Sequence, residues 1–304
     1  MTEEQVQRLE TEDGVFENIS WLFDEIKVDH NISRFNRYDS FVTSRTEDVV
    51  RLHFGLKGNY CFTYNQLDSM FDLIGGHHNL MFSEGFDILV QNRSLELETF
   101  GVQFSRRSFI AFTQNACDSL KRFCDLVESG KSAILNNHWG AINPQIEFVI
   151  RQITNCKYSG KMKQILMLSK CLELLVLTVE GCSSASQTSE KFINNKDDKE
   201  RVIAARDMIN QRLQAPPTLS QVALSVGLNE FKLKRGFKEL FKTTVFGYLA
   251  EQRLLLGYQY LMDTQKTAAE IAYVLGYASP QHFSNAFKKR FGITPLVMRK
   301  KPVS

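Results

Sequence analysis

The sequence has no run of about 18 apolar residues, the length that a membrane-spanning helix requires. The nearest candidate, residues 165–179, is interrupted by Ser169, Lys170 and Glu173. The first five residues are acidic and lack the basic and then apolar order of a secretory signal. These absences predict a cytoplasmic protein with no membrane partner.

The six cysteines are scattered, and no two of them have CxxC spacing. In a cytoplasmic chain this pattern predicts reduced thiols. The chain also lacks a phosphate-binding glycine-rich loop, a nucleophile elbow and an HExxH motif. His77 and His78 are adjacent, and adjacent residues of a strand point to opposite faces, so the two cannot ligate one metal ion. The sequence therefore predicts no catalytic residues, no metal and no cofactor.

What the sequence does contain is one pattern written twice between residues 219 and 299. Gly227 recurs as Gly276 at an offset of 49 residues, and Phe237 recurs as Phe287 at an offset of 50. Because the extra residue falls where each copy has a turn, the helices on both sides keep their phase. The chain thus contains two copies of one supersecondary unit.

Each copy has the pattern of a helix-turn-helix. Apolar residues at i, i+3, i+4 and i+7 predict a short helix, and a glycine follows at the position that favours left-handed backbone. Asn229 and Ser279 are then suitable N-caps for a second helix, and Pro280 fits its first turn. A helical bundle with solvated faces is the alternative, but two copies in tandem favour DNA binding.

The outer face of each second helix is polar and basic, which suits base edges and phosphates in the major groove. Arg235 can pair a guanine, and Gln281 and Asn285 can pair an adenine. The residues predicted to face DNA are Asn229, Glu230, Phe231, Lys232, Lys234, Arg235, Lys238, Ser279, Pro280, Gln281, His282, Ser284, Asn285, Lys288 and Lys289.

Charge is divided between the two parts of the chain. Residues 199–304 contain 17 basic and 7 acidic residues, a net charge of +10, while the remainder has 20 basic and 27 acidic residues, a net charge of −7. A basic module attached to an acidic one indicates phosphate binding by the C-terminal part.

The run from Glu270 to Ser279, followed by Phe283, Phe287 and Thr294-Pro295, resembles the signature of AraC/XylS-type transcription regulators. The resemblance covers residues 199–300 and implies double-stranded promoter DNA as a partner, with RNA polymerase as a second partner of an activator. Gly257 and Gly236 depart from the family pattern. Gly236 is expected to loosen the first recognition helix by up to about 1 kcal/mol relative to alanine.

Short alternating runs between residues 42 and 108 predict antiparallel strands in a small barrel or sandwich. The segments 76–82 and 155–160 are similar to a subgroup that includes regulators of siderophore uptake, and the family resemblance implies a cupin-like β-barrel as an effector domain. The fold class is therefore expected to be α+β. The residues expected to line an effector site are Phe54, Phe62, Tyr64, His77, His78 and Phe82.

Residues 109–180 have a helical period. Their last apolar stripe is predicted either to be core or to form a homodimer interface through Leu168, Leu172, Leu175 and Val179. Residues 181–198 are polar and predict a linker. The predicted domains are thus a sensing and dimerisation domain (1–180), a linker (181–198) and a DNA-binding domain (199–304).

Together these patterns predict a ligand-responsive transcription activator whose two recognition helices enter successive major grooves, roughly 34 Å apart. The alternative is a cupin-type metalloenzyme or small-molecule-binding protein with an accessory helical domain.

Overall fold

A computed structural model describes residues 3–45, 48–67, 69–114, 116–186, 193 and 196–300. The chain forms two compact units. Unit 1 contains residues 1–142 and 149–190, and unit 2 contains residues 143–148 and 191–304.

The strands of unit 1 form two antiparallel sheets among the described residues. Sheet 1 has the order β1-β2-β3-β10-β5-β8-β11, with β12 also paired to β8, and sheet 2 has the order β4-β9-β6-β7. The strands are β1 Glu3–Thr11, β2 Gly14–Phe23, β3 Ile26–Phe35, β4 Ser40–Arg45, β5 Val49–Lys57, β6 Asn59–Tyr64, β7 Ser69–Ile74, β8 His77–Ser83, β9 Phe86–Asn92, β10 Glu96–Phe104, β11 Ala133–Ile134 and β12 Gly140–Ala141.

The α+β prediction is confirmed, but the closed cupin-like barrel is not, because no described strand joins the two sheets. Strands β1 to β3 occupy the first 35 residues, where the sequence pattern had predicted no strand. These strands carry polar residues on both faces, so the sequence shows no clear alternation of apolar and polar residues.

The helices begin after strand β10. They are α1 Arg106–Thr113, α2 Asp118–Glu128, α3 Pro144–Thr154, α4 Gly160–Ser186, α5 Lys196–Gln211, α6 Leu219–Ser225, α7 Glu230–Phe241, α8 Val245–Asp263, α9 Ala268–Val274, α10 Pro280–Phe291 and α11 Pro295–Lys300. Strands β11 and β12 lie between α2 and α3. None of the helices in the described part of the chain combines the length and hydropathy needed to cross a bilayer.

Sheet 1 separates an apolar layer from a polar one. Phe54 and Phe100 are cross-strand partners on β5 and β10, and both are fully buried. On the same face Phe104 contacts Phe109 of α1, with ring centroids 6.3 Å apart. Because side chains alternate along a strand, the intervening residues His53 and Gly101 face the other side.

Unit 2 contains the two predicted helix-turn-helix copies, α6–α7 and α9–α10. Both first helices begin with a capping box, formed by Thr218 with Gln221 and by Thr267 with Glu270. Both turns use a glycine with positive φ, 67° at Gly227 and 73° at Gly276. The repeat in the sequence is therefore a repeat in the backbone.

A single helix, α8, connects the two copies. Its 19 residues extend about 28 Å at 1.5 Å per residue. Arg253 of α8 donates a hydrogen bond from Nε to the Leu213 carbonyl at 2.8 Å, and its guanidinium lies over the Tyr277 ring. These contacts tie α8 to the segment before α6 and to the turn of the second copy.

Two further segments belong to unit 2. Glu147 accepts hydrogen bonds from Tyr248 Oη at 3.1 Å and from Gln252 Nε2 at 2.5 Å. Ile193 is fully buried, and its backbone N–H donates to Glu239. The predicted linker, residues 181–198, thus overlaps the end of α4, this buried residue and the start of α5. The domain boundaries themselves stay a prediction.

Gly236 is a packing residue of α7, which changes the expectation that it loosens this helix. A Cβ at Gly236 would lie 2.2 Å from Cδ1 of Ile193 and 2.9 Å from Cγ2 of Val202. We expect Gly236→Ala to lower the free energy of unfolding by about 1 to 3 kcal/mol, because overpacking outweighs the helix propensity of alanine. Thermal and urea unfolding of the full-length protein measure this.

The matched control is Gly236→Ala combined with Ile193→Ala. If the steric explanation holds, the double variant is more stable than the sum of the two single effects. Stabilisation by Gly236→Ala alone would contradict the packing assignment.

Candidate nucleic-acid interface and ligand cavity

The outer face of α7 is exposed as predicted. Phe231, Lys234, Arg235 and Lys238 are exposed, whereas Leu233 on the inner face is fully buried. Phe231 is 63% exposed although it is a large aromatic residue, and the Arg235 guanidinium lies 5.7 Å from its ring centroid. This face therefore presents cations together with an aromatic surface.

Three other predicted DNA contacts at this helix are already engaged within unit 2. The Asn229 side chain caps α7 by accepting from the Lys232 backbone N–H at 2.8 Å. The Lys232 ammonium forms a 2.6 Å ion pair with Asp198. Glu230 accepts from the Ser220 hydroxyl and, at 3.3 Å, from Lys234, and these two bonds lower the pKa of its carboxyl. These side chains hold the helix in place.

The outer face of α10 has a different chemistry. Gln281, His282 and Asn285 are exposed, as are Lys288 and Lys289 one to two turns further on. Pro280 and Ser284 are half-buried, and Ser279 caps the helix by accepting from the His282 N–H at 3.3 Å. The lysines lie near the C-terminus of α10, where the helix dipole favours cations.

The two amides of α10 form a pair. Gln281 Nε2 donates to Asn285 Oδ1 at 3.1 Å across one helical turn. With this orientation the pair leaves Gln281 Oε1 as an acceptor and Asn285 Nδ2 as a donor on the exposed face.

Unit 1 contains a cavity of about 430 Å³ between the polar face of sheet 1 and the inner face of sheet 2. Its size lies within the range of small-molecule sites. The lining residues of sheet 1 are mostly polar, whereas the row Phe41, Val90 and Phe62 crosses three strands of sheet 2. The cavity thus has one polar wall and one apolar wall.

The polar wall contains a buried ion pair. Arg51 donates from both terminal nitrogens to Asp29, at 3.2 and 3.1 Å, and Gln103 Nε2 donates to Asp29 at 2.9 Å. Gly101 lies between Asp29 and His53 in the cross-strand register, and a Cβ there would meet Asp29 Oδ2 at 2.4 Å. Lys27 also lines the cavity, and it has no ion pair with any described residue. The formal charge of the wall is positive.

A hydrogen-bonded chain of three rings completes this wall. His77 Nδ1 lies 2.5 Å from the Ile74 carbonyl, and because a carbonyl only accepts, this nitrogen carries the proton. With its proton on Nδ1, His77 accepts at Nε2 from Tyr60, 3.0 Å away, and Tyr60 accepts from His53 Nε2 at 2.5 Å. The outcome is a neutral His53 whose Nδ1 is an acceptor with no partner among the described residues.

Burial supports the neutral state of His53 and Tyr60. Burial, together with the positive charge of Arg51, holds the pKa of His53 well below its usual value. Burial likewise raises the pKa of Tyr60. These two rings therefore stay uncharged at neutral pH.

The predicted effector residues lie on two sides of sheet 1. Phe62 lines the cavity, Tyr64 belongs to the core next to it, and His77 reaches it through Tyr60. Phe54, His78 and Phe82 lie on the opposite face, where the His78 ring packs against Gly140 and Gly181.

The opposite orientation of His77 and His78 is confirmed. The described residues contain no group of three or more histidine, cysteine or carboxylate side chains that could hold a metal ion. His53 and Arg51 were not predicted as cavity residues, although their alternation with Leu52 and Phe54 on β5 is a signal present in the sequence.

The predicted dimer residues are only partly at the surface. Leu175 and Val179 are 5% and 8% exposed and belong to the core of unit 1. Leu168 and Leu172 are half-buried. The apolar stripe read from the sequence therefore mostly faces inward, because α4 has apolar residues on two faces.

The fold and the paired, exposed recognition helices define a DNA-binding transcription regulator of the helix-turn-helix class. A helix-turn-helix domain model matches residues 222–301, and a model named for the N-terminal domain of the regulatory protein PchR matches residues 34–192. Because the second model covers more than half of the chain, this protein belongs to the AraC/XylS-type regulators with a PchR-type N-terminal domain.

Individual relatives agree with this family. The chain is 39% identical over 114 residues to the regulatory protein PchR of Pseudomonas aeruginosa, a match that spans 38% of each protein. It is 33% identical over 87 residues to the regulatory protein SoxS of Escherichia coli, a match that spans 29% of this chain and 81% of SoxS. It is 27% identical over 173 residues to the bifunctional transcriptional activator/DNA repair enzyme AdaA of Bacillus subtilis, spanning 55% of this chain and 80% of AdaA.

Among solved structures, an AraC-type regulator of Chromobacterium violaceum is 28% identical and has a TM-score of 0.33, covering 36% of this chain and 99% of its own. The proteins that this chain resembles are thus transcription regulators, one of which is also named as a repair enzyme.

Arg235 and Lys238 allow a test of how α7 contacts DNA. We expect Arg235→Ala to cost about 1 to 3 kcal/mol on the best site and to relax preference at one base pair, because a bidentate guanine contact is lost. We expect Lys238→Ala to weaken binding on all sequences and to reduce the salt dependence by about one phosphate contact.

Binding titrations at several salt concentrations, on the best site and on its single-base variants, separate the two effects. An equal loss on every sequence for Arg235→Ala would make it a phosphate contact instead.

Proposed function

We propose that this protein is a ligand-responsive transcription activator that reads two successive major grooves of promoter DNA. The observation that carries the proposal is the repeated unit itself, with two capped recognition helices whose outer faces are both exposed. Residues 199–304, which contain both helices, have a net charge of +10, which favours binding to phosphates.

The two recognition helices, α7 and α10, suit different bases. On α7, Arg235 fits the O6 and N7 acceptors of guanine. On α10, the Gln281–Asn285 pair offers one acceptor and one donor, which match the N6 amino group and N7 of adenine. The part of the operator that one protomer contacts is therefore asymmetric in sequence.

The effector site is the cavity of unit 1, in an open form of a cupin-like barrel. Its two walls suit an amphiphilic small molecule whose apolar part contacts Phe41, Val90 and Phe62. The polar part would donate a hydrogen bond to His53 Nδ1 and place any negative charge near Lys27. Binding would change the DNA affinity tenfold if the ligand favoured one state by about 1.4 kcal/mol.

The remaining partners follow from this role. An activator contacts RNA polymerase at the promoter, and the protein acts in the cytoplasm as a homodimer. The metalloenzyme alternative has less support, because both histidines near the cavity are bonded to the same tyrosine and the described residues contain no group of three or more side chains that could hold a metal ion.

Footprinting tests the reading of two grooves. We expect hydroxyl-radical protection on one face of the DNA at two positions roughly 34 Å apart, since α8 sets the two recognition helices on one domain. Arg235→Ala should weaken one protected region and Asn285→Ala the other. Protection confined to a single half-turn would show that only one of the two helix-turn-helix copies binds the DNA.

Val90 allows a test of the cavity because it lies at the centre of the apolar row. We expect Val90→Trp to fill the cavity and to abolish the response of DNA affinity to any effector found among iron chelators and other metabolites. The matched control is Val42→Trp on the neighbouring strand, where Val42 is 67% exposed and should tolerate the change. DNA titrations with and without effector measure the response. A Val90→Trp protein that still responds would place the effector elsewhere.

A further inference from the structure

A residue that precedes the repeat packs against the inner face of the first recognition helix. Ile193 is fully buried, and its backbone N–H donates to Glu239 of α7 at 3.1 Å. A Cβ at Gly236 of α7 would overlap Cδ1 of Ile193, and it would lie 2.9 Å from Cγ2 of Val202 on α5. Because Gly236 has no side chain, the inner face of α7 has a hollow at this point, and the Ile193 side chain fills it.

Helix α5 holds the same recognition helix at two further points. Asp198 of α5 forms a 2.6 Å ion pair with Lys232 of α7. Arg201 of α5 donates from Nη1 to the Gly227 carbonyl at 2.7 Å, in the turn that leads into α7. The first copy is therefore held in part by Ile193 and α5, both of which precede the repeat.

The second copy is held by different elements. At the offset of 50 residues, Ala286 of α10 takes the position of Gly236. Ala286 packs in a core that includes Leu254 of α8 and Met298 of α11. These partners lie between the two copies or after the second one. A change at Ile193 therefore alters the packing of α7 and leaves the packing of α10 in place.

The place of α7 matters for base recognition because Gly236 directly follows Arg235, which is proposed to pair a guanine. A bidentate contact has a fixed geometry, and such a group has to be held within about 0.5 Å of its productive position. A helix that shifts at Gly236 would carry Arg235 out of this range.

We propose that Ile193 is a positioning residue for DNA recognition. By filling the hollow at Gly236, it sets the position of α7 and so the base preference of the first helix-turn-helix copy, while the second copy does not depend on it. The proposal rests on the proposed function, since it concerns one of the two recognition helices. It also extends that function to a residue of the predicted linker, 181–198, outside the predicted DNA-binding domain.

Hydrogen exchange of the full-length protein without DNA tests the positioning itself. We expect Ile193→Ala to speed amide exchange in α7 about tenfold and to leave α10 unchanged, because the hollow at Gly236 is left empty. Ile271→Ala is the matched control, since Ile271 is equally buried but belongs to the core of the second copy. This variant should speed exchange in α10 instead. Where alanine prevents folding, Ile193→Val and Ile271→Val each remove a single methyl group.

Binding titrations test the consequence for recognition. The probes are the best site selected from random DNA and two versions of it, one scrambled under α7 and one scrambled under α10. Footprints of Arg235→Ala and Asn285→Ala assign the two halves. We expect Ile193→Ala to reduce discrimination against the first version about tenfold, which corresponds to one bidentate base contact, and to leave discrimination against the second unchanged. Ile271→Ala should have the reverse effect.

Three results would overturn the proposal: exchange in α7 that is unchanged in a folded Ile193 variant, exchange that rises equally in α7 and α10, or discrimination that falls equally at both halves of the site. A natural protein that does not discriminate between DNA sequences would instead defeat the proposed function and, with it, the role in recognition. The exchange experiment would still decide whether Ile193 positions α7.

Discussion

The alternation of side chains on β5 and β10 is the constraint on which unit 1 depends. These adjacent central strands place Phe54 and Phe100 on one face, where they are fully buried. The same register then forces His53 and Gly101 onto the other face. Because the helix side supplies an apolar core, the cavity side can be polar without loss of the sheet.

Polar groups on the cavity side are mostly satisfied by each other. Asp29 is held by Arg51 and Gln103, and Tyr60 connects His53 to the rest of its chain. A buried polar network of this kind is rigid when each member has its partner. The Lys27 ammonium and Nδ1 of His53 are two of the polar groups on this wall that have no partner among the described residues.

In unit 2 the same backbone arrangement occurs twice, with chemically different outer faces on the two recognition helices. Both copies share a capping box and a glycine turn, so α7 and α10 project from the same local geometry. On α7 the outer face combines cations with the aromatic ring of Phe231, while α10 presents a pair of amides. Packing differs as well, since α7 makes room for Ile193 at Gly236 and thereby gains a contact from outside the repeat.

The sequence alone determined the elements whose signal is local. The repeat, its N-caps at Asn229 and Ser279, and the exposed faces of α7 and α10 were predictable, because capping and helical periodicity depend on residues a few positions apart. The fold class and the opposite orientation of His77 and His78 were predictable for the same reason.

Only the tertiary structure decided what each face of a strand or helix packs against. Periodicity showed that β5 alternates, but long-range pairing with β10 decided that Phe54 faces helices and His53 faces the cavity. The stripe on α4 was ambiguous because the helix is apolar on two faces, and burial selected which face is core. Glu147 joins unit 2 through hydrogen bonds to residues about 100 positions away, a relation that no local pattern records.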